Sequence, residues 1–227
     1  MSRVVVVTGG AKGIGKAVAE RFAPDRVEAG GRDMLDVTDE EAVAAFFERM
    51  GSVDVLVNNA GVAEGAPLAR TTLESWRHHF EVNATGAFLC TRAVLPDMFE
   101  RGAGRIITIA STAGLRGARY TTAYTAAKHA AVGLMRATAA EVAGTGVTAN
   151  AVCPGWVRTA MMERAVERIV ATTDRDAEQA EAALVAQMPL GRALEPEEVA
   201  EAVWYLASPQ AAAINGQALV LDGGGFQ

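Results

Sequence analysis

The fold is decided by the first stretch of the chain, Val4-Val5-Val6-Val7-Thr8-Gly9-Gly10-Ala11-Lys12-Gly13-Ile14-Gly15. Its β-branched residues predict a strand, and an amphipathic helix pattern follows directly. Glycines between a strand and a helix permit a tight turn, close approach to a phosphate, and access to the unpaired N–H groups of the helix N-terminus. The stretch therefore predicts a dinucleotide-binding turn; the alternative is an ordinary glycine-rich connection.

Further short apolar runs alternate with longer amphipathic stretches along the chain. Runs that are apolar throughout are typical of strands buried on both faces of a parallel sheet. The predicted strands are Val4–Thr8, a short strand from Arg26, Val53–Val57, Arg105–Ala110, Val147–Val152 and Ala218–Leu221. The predicted helices are Ile14–Phe22, Glu40–Met50, Leu73–Phe80, Ala87–Glu100, Tyr120–Ala143 and Glu197–Ala207. This order predicts an α/β fold with one doubly wound parallel sheet across residues 1–227.

Local signals refine this prediction. Thr38 and Glu41 have the spacing of a capping box at the start of the second helix, and Pro196 suits the first turn of the last one. The polar stretch Met161–Gln187 predicts a helical insertion with a mobile break near Thr172–Asp176. We expect it to form part of a substrate-loop insertion spanning about 157–195, within the same domain.

Composition limits the classes of partner. The chain has 227 residues, half of them hydrophobic, and a net charge of −6, which argues against nucleic acid or an anionic membrane as main partner. No apolar stretch reaches the roughly 18 residues of a membrane span, so we expect a cytoplasmic protein. Cys90 and Cys153 are predicted to be buried free thiols, and no metal site is expected because neither lies in a CxxC pair.

Polar residues follow two of the predicted strands. Asn58-Asn59-Ala60-Gly61 ends the third, Ser111 ends the fourth, and Tyr124 and Lys128 follow on a predicted helix. A tyrosine and a lysine four residues apart share a helix face, and a nearby ammonium lowers the pKa of a phenol from about 10. With a serine hydroxyl to hold a substrate oxygen, this set suits proton transfer to or from an alcohol, with the hydride carried by a nicotinamide. Alone, such a tyrosine–lysine pair is more often a surface feature.

Together these motifs resemble the short-chain dehydrogenase/reductase family over essentially the whole chain. The resemblance rests on Thr8-Gly9-x3-Gly13-x-Gly15, Asn58-Asn59-Ala60-Gly61, Asn83, Ser111, Tyr124-x3-Lys128 and Pro154-Gly155. It implies a Rossmann fold of about seven strands acting on a small-molecule carbonyl or alcohol. It also implies a homotetramer or homodimer packed through the helices around Ala87–Glu100 and Tyr120–Ala143.

The same resemblance implies the roles of individual residues. Asn83, Ser111, Tyr124 and Lys128 would be catalytic, with Asn83 holding a water that links Lys128 to solvent; without the family, Asn83 could equally be a helix cap. The implied cofactor-binding residues are Gly9, Lys12, Gly13, Ile14, Gly15, Arg32, Asp36, Val37, Asn59, Ala60, Gly61, Tyr124, Lys128, Pro154, Gly155, Val157 and Thr159. His78, His79 and His129 are expected to be non-catalytic.

The end of the second strand bears on the choice of cofactor. An acid there holds the ribose hydroxyl of NAD, whereas a basic residue suits the 2′-phosphate of NADP. Here Gly31 occupies that position and Arg32 follows, with Lys12 as a second phosphate ligand, so the sequence favours NADP(H) over NAD(H). The helix that usually follows is missing, however, and Asp33 could instead favour NAD(H).

The substrate is less well defined by the sequence. Substrate recognition should fall to Ala113–Thr122, Trp156–Met162 and the insertion ending near Leu194. The chain looks most like ketoreductases of 3-oxoacyl thioesters and polyketides. A dehydrogenase of a cyclic diol, sugar or steroid is the main alternative, and a non-catalytic nucleotide-binding protein is a remote one because Tyr124 and Lys128 are both present. Arg116 and Arg119 could meet an acidic carrier or a CoA phosphate, or be solvated surface charges.

Overall fold

The computed structural model describes residues 2–186 and 188–225, which form one parallel sheet of six strands. The strands are β1 (Val4–Thr8), β2 (Arg26–Gly30), β3 (Val55–Asn58), β4 (Gly104–Ile109), β5 (Val147–Pro154) and β6 (Ala218–Leu221). They lie in the order β2-β1-β3-β4-β5-β6, and every neighbouring pair is parallel. The predicted α/β class is confirmed, with strand ends that differ from the prediction by one or two residues.

Helices cover both faces of the sheet. They are α1 (Gly13–Arg21), α2 (Glu40–Met50), α3 (Leu73–Phe80), α4 (Gly86–Arg101), α5 (Thr122–Glu141), α6 (Ala160–Thr172), α7 (Ala177–Val185) and α8 (Pro196–Leu206). Successive strand residues point to opposite faces, so Val6 joins a core with residues of α2, α4 and α5, whereas Val5 and Val7 join a core with α1 and α8. No helix among the described residues is long and apolar enough to span a membrane.

The sheet has six strands rather than the about seven that the family resemblance implies, because no strand forms in residues 31–39 between β2 and α2. The N–H groups of Met34 and Leu35 both donate to the carbonyl of Gly31, at 3.1 and 3.2 Å, and this turn carries the chain away from the sheet. A neighbouring parallel strand needs a crossover of about a dozen residues, and the chain between β2 and Asp36 is too short for one. Leu35 is instead buried in the core beside α2, and β2 becomes the edge of the sheet.

The cap of α2 also differs from the prediction. Asp39 is the N-cap residue, and its carboxylate accepts the N–H of Ala42 at 3.0 Å. Thr38 donates its hydroxyl to Asp36 instead, at 2.7 Å, so the predicted capping box of Thr38 and Glu41 was wrong. The prediction for Pro196 is confirmed, since it occupies the first turn of α8.

The insertion after β5 is helical, as expected. It contains α6 and α7, separated by a break at residues 173–176, and its predicted end at Gln187 lies outside the described residues. Met162 of α6, Val185 of α7 and Ala193 form a small buried cluster against Trp156. This packing holds the two helices above the segment that leaves β5.

Candidate active site

The glycine turn after β1 is held in a shape that only glycines allow. Gly9 and Gly13 have positive φ values of 63° and 54°, in the left-handed region that favours glycine. A Cβ on Gly10 would lie 2.6 Å from the Cβ of Ala29, and a Cβ on Gly15 would overlap the amide of Asn59. No described side chain caps the N-terminus of α1, so its first N–H groups and positive dipole end are directed at this turn. These features fit a bound pyrophosphate.

Asn59 ties the glycine turn to the end of β3. Its side-chain amide donates to the carbonyls of Thr8 and Gly9 at 2.9 and 3.0 Å. The hydroxyl of Thr8 accepts the N–H groups of Asn59 and Ala60, both at 3.0 Å. The side chain of Asn59 therefore shapes the turn from within.

The four residues expected to be catalytic come together at the carboxyl ends of β3 and β4. Ser111 lies two residues beyond that end of β4, and its side chain is close enough to the hydroxyl of Tyr124, on α5, to lower the pKa of the phenol. Lys128, one helical turn further along α5, is buried and donates its ammonium to the carbonyl of Ile109 at 2.8 Å. The Lys128 Nζ lies 5.8 Å from the centre of the Tyr124 ring.

Asn83 is placed by an irregular turn between α3 and α4. Residues Glu81–Thr85 form a π-helical turn, which is frequent at functional sites. The Asn83 amide donates to the carbonyls of His79 and Val62, both at 3.0 Å, and its oxygen accepts the N–H of Val62 at 3.3 Å. A Cβ on Gly61 would lie 2.9 Å from this oxygen and 3.6 Å from Lys128 Nζ. Asn83 thus binds the segment after β3, close to Lys128, and does not cap a helix.

Burial dominates the electrostatics of this cluster. It raises the pKa of Tyr124, an effect that the hydrogen bond with Ser111 partly offsets. Burial also lowers the pKa of Lys128 to about 8. The ammonium of Lys128 is directed at Ile109, and desolvation of the phenolate outweighs the other effects on the pKa of Tyr124, so a lowering of that pKa by Lys128 stays a prediction.

The segment after β5 approaches the glycine turn from the other side. Pro154 ends β5, and the N–H of Gly155 donates to the carbonyl of Leu221 at 2.8 Å. Val157 is buried in the core. Thr159 begins α6, and its Cγ2 lies 3.2 Å from where a Cβ on Gly13 would stand. The segment after β5 and the glycine turn are therefore adjacent.

The residues expected on the adenosine side divide into exposed and buried groups. The Arg32 side chain is 78 % exposed and pairs with Asp36 at 2.7 Å. The hydroxyl of Thr38 is the largest of the causes that lower the pKa of Asp36. Lys12 is exposed beside the glycine turn. Val37 is buried against Gly86 of α4, so its side chain belongs to the core.

The contacts that His79 makes in this cluster were not predicted from the sequence. His79 is fully buried, its carbonyl accepts from Asn83, and its ring meets the Tyr124 ring edge-on. A helical spacing of four residues between His79 and Asn83 is the signal that could have indicated a shared face. His129, in contrast, is exposed.

Comparison with known proteins identifies the family. The model of the family described as enoyl-(acyl carrier protein) reductase matches residues 29–225. The chain belongs to the short-chain dehydrogenase/reductase family. This short-chain dehydrogenase/reductase is 41% identical to a Streptomyces coelicolor protein assigned as a ketoacyl reductase, over 98% of this chain and 97% of the relative.

Two further relatives indicate the range of the family. A cis-4-hydroxycyclohexanecarboxylate dehydrogenase of Sinomonas cyclohexanicum is 38% identical over 98% of this chain and 96% of its own length. The solved structure of an actinorhodin polyketide ketoreductase variant with NADPH superimposes with a TM-score of 0.89 at 39% identity, covering 98% and 97% of the two chains. The protein described here is an NAD(P)-dependent oxidoreductase that acts on a ketone/alcohol pair.

The lowered pKa of Lys128 makes stability depend on pH. Between pH about 8 and the ordinary lysine value of about 10.4, Lys128 binds more protons in the unfolded chain than in the folded one, so its contribution to stability should rise with pH. The expected gain is about 3 kcal/mol, at about 1.36 kcal/mol per pKa unit. Cys90 and Cys153, whose pKa values burial raises to about 12 and about 11, act in the opposite direction above pH about 9. Lys128→Met keeps the effect of the cysteines and removes that of Lys128, so the difference in free energy of unfolding between the two proteins should change by this amount across the range. Urea denaturation across this pH range measures the free energy of unfolding of both proteins. The same dependence on pH in wild type and variant would contradict the prediction.

Proposed function

We propose that this enzyme reduces the ketone of a 3-oxoacyl thioester or a polyketide-like chain, with Tyr124 as the proton donor. The observation that carries the proposal is that Tyr124 comes together with Ser111, just beyond the end of β4, and with Lys128, which is buried with its Nζ 5.8 Å from the centre of the Tyr124 ring. The high pKa of a buried phenol keeps Tyr124 protonated, as a proton donor requires. Ketoreductase relatives support the substrate class.

Each residue of the cluster has a role in this proposal. Tyr124 gives its proton to the carbonyl oxygen, and Ser111 donates a hydrogen bond that holds this oxygen in place. Lys128 binds ribose hydroxyls and favours the phenolate once the proton has left. Asn83 holds a water through which Lys128 exchanges protons with solvent. A bound nicotinamide dinucleotide supplies the hydride.

The proposed cofactor site follows the geometry at the sheet edge. N–H groups of Gly13, Ile14 and Gly15 face the pyrophosphate, an arrangement supported by the uncapped α1 N-terminus. The backbone of Asn59-Ala60-Gly61 borders the adenosine side. Pro154, Gly155, Thr159 and the backbone of Val157 border the nicotinamide. Since Val37 is buried, only its backbone and the Asp36 carboxylate would reach the adenine.

Removal of the Tyr124 hydroxyl tests the assignment. Tyr124→Phe should lower kcat for ketone reduction by about 10²- to 10⁴-fold, the contribution typical of a general acid, while the Kd for NADPH changes little. Tyr205→Phe on α8, where Tyr205 is 45% exposed, is the matched control and should behave as wild type. Near-normal turnover by Tyr124→Phe would show that another group donates the proton.

A second substrate class is favoured by one relative, the dehydrogenase of a cyclic hydroxy acid. We propose that the insertion at 157–195, with Trp156 directly before it, forms a lid whose apolar residues, including Met162, contact the substrate. Cofactor-consumption assays with 3-oxoacyl thioesters, diketones and cyclic alcohols compare the two classes directly. A higher kcat/KM for cyclic alcohols than for thioesters would reject the proposal that the substrate is a 3-oxoacyl thioester.

We further propose a preference for NADP(H). Arg32 and Lys12 are both exposed beside the glycine turn, where a 2′-phosphate would meet them, and Asp36 holds the Arg32 guanidinium through an ion pair. Arg32→Ala should raise KM for NADPH about tenfold or more and leave KM for NADH unchanged, because a hydrogen bond to a charged group is lost. Arg26→Ala, at the exposed start of β2, is the control. A wild-type preference for NADH would contradict the proposal.

The assembly is proposed to be a homotetramer or homodimer packed through α4 and α5. Phe88 and Phe99 lie three helical turns apart on α4 and are 42% and 39% exposed, with Arg92 between them and over the Phe88 ring, so two large apolar side chains remain for a second copy to cover. Light scattering should therefore give a mass of two or four times 23.7 kDa. A monomer at micromolar concentration would be inconsistent with this assembly.

A further inference from the structure

His79 makes an unusually complete set of contacts for a residue outside the proposed chemistry. It lies in α3, and its side chain is fully buried. Its Nε2 lies 3.0 Å from the backbone nitrogen of Glu64, and its Nδ1 lies 2.7 Å from the carbonyl oxygen of Ser75. A backbone N–H can only donate, so Nε2 is the acceptor and the proton is on Nδ1. The ring is thereby fixed as one neutral tautomer.

The His79 ring also touches the proposed proton donor. Its centre lies 6.4 Å from that of the Tyr124 ring, and the two planes make an angle of 76°. This edge-to-face geometry is a favourable one for aromatic pairs. Tyr124 is on α5 and His79 on α3, so the contact joins two helices at the level of the phenol.

His79 and Asn83 together hold the segment Gly61–Gly65. Asn83 bonds Val62, and two residues further along His79 bonds Glu64. At the far end, the Gly65 carbonyl accepts from Arg168 of α6 at 2.9 Å. The segment follows β3 at the same edge as Ser111 and Tyr124, so it borders the space where a substrate carbonyl would approach.

A purely structural role would need only part of this arrangement. An apolar side chain of similar volume would fill the space but leave the Glu64 N–H without an acceptor. A glutamine would supply an acceptor at a similar distance along the side chain but no ring against Tyr124. The contact of His79 with the Glu64 N–H and its contact with the Tyr124 ring can therefore be removed by separate substitutions.

We propose that His79 is a positioning residue with two separable effects. Its ring edge holds the Tyr124 phenol in line for proton transfer, and its Nε2 holds the segment Gly61–Gly65 against the substrate. The inference rests on the proposed role of Tyr124. The first effect governs kcat, whereas the second governs KM for the ketone.

Two substitutions test the two effects. His79→Gln should lower kcat by about 10- to 100-fold, since small displacements of a reacting group cost about this much, with KM for the ketone within about twofold of wild type. The solvent isotope effect on kcat should increase, because proton transfer becomes limiting. His79→Phe should keep kcat within about twofold but raise KM about tenfold, the cost of leaving a buried donor unpaired.

The control is His129, which makes the same kind of bond to the carbonyl four residues earlier, Nδ1 to Thr125 at 2.9 Å, but is exposed. His129→Gln and His129→Phe should leave kcat and KM unchanged. All rates are taken per NADPH-binding site, so a loss of folded protein does not alter kcat or KM. If the phenylalanine variant does not fold, His79→Leu removes the same acceptor.

Opposite results would overturn the inference. An unchanged kcat in His79→Gln would show that the ring does not position the Tyr124 phenol. An unchanged KM in His79→Phe or His79→Leu would show that Nε2 does not hold the segment Gly61–Gly65 against the substrate. Failure of the proposed function is distinguishable, because it requires that Tyr124→Phe retain near-normal turnover. An inactive Tyr124→Phe combined with wild-type kinetics of the His79 variants rejects the inference alone.

Discussion

The backbone that leaves β1 approaches the backbone that leaves β3 so closely that side chains are excluded. A Cβ on Gly9 would lie 2.9 Å from the Cα of Ala60. The amide of Asn59 and the hydroxyl of Thr8 lock the two segments together. This contact opens the N-terminus of α1 toward ligand, and it also sets where Gly61 lies, next to Asn83 and Lys128. The phosphate-binding and proton-transfer parts of the site are therefore parts of one rigid arrangement.

Within that arrangement, few groups stabilise the charged forms of Tyr124 and Lys128. Lys128 is buried with its ammonium on the carbonyl of Ile109, and the side chain of Ser111 lowers the pKa of Tyr124. Both pKa values shift toward the neutral forms, since desolvation penalises each charge. A site of this kind holds its proton on the phenol until a substrate oxygen develops negative charge beside it.

Much of this could be predicted from the sequence because the relevant signals are local. Apolar runs gave the strands, and the order of glycines, Ser111, Tyr124 and Lys128 gave the site. The missing helix after β2 is visible in the sequence, but the six-stranded sheet follows only when the residues that a crossover needs are counted. The choice of Asp39 over Thr38 as cap depended on Asp36, which engages Thr38. His79 escaped notice because its partners, Glu64 and Tyr124, are 15 and 45 residues away along the chain.

The short connection after β2 determines what this side of the sheet presents to other proteins. Among the described residues, β2 has a neighbouring strand on one side only, so the other side of its backbone offers N–H and C=O groups to which no strand is paired. Such edges invite strands from other chains, and charged side chains discourage them. Here Arg26 and Glu28 alternate along the five-residue strand and lie 3.5 Å apart as an ion pair. The edge at β2 is thus short and charged, and both properties disfavour aggregation through strand pairing.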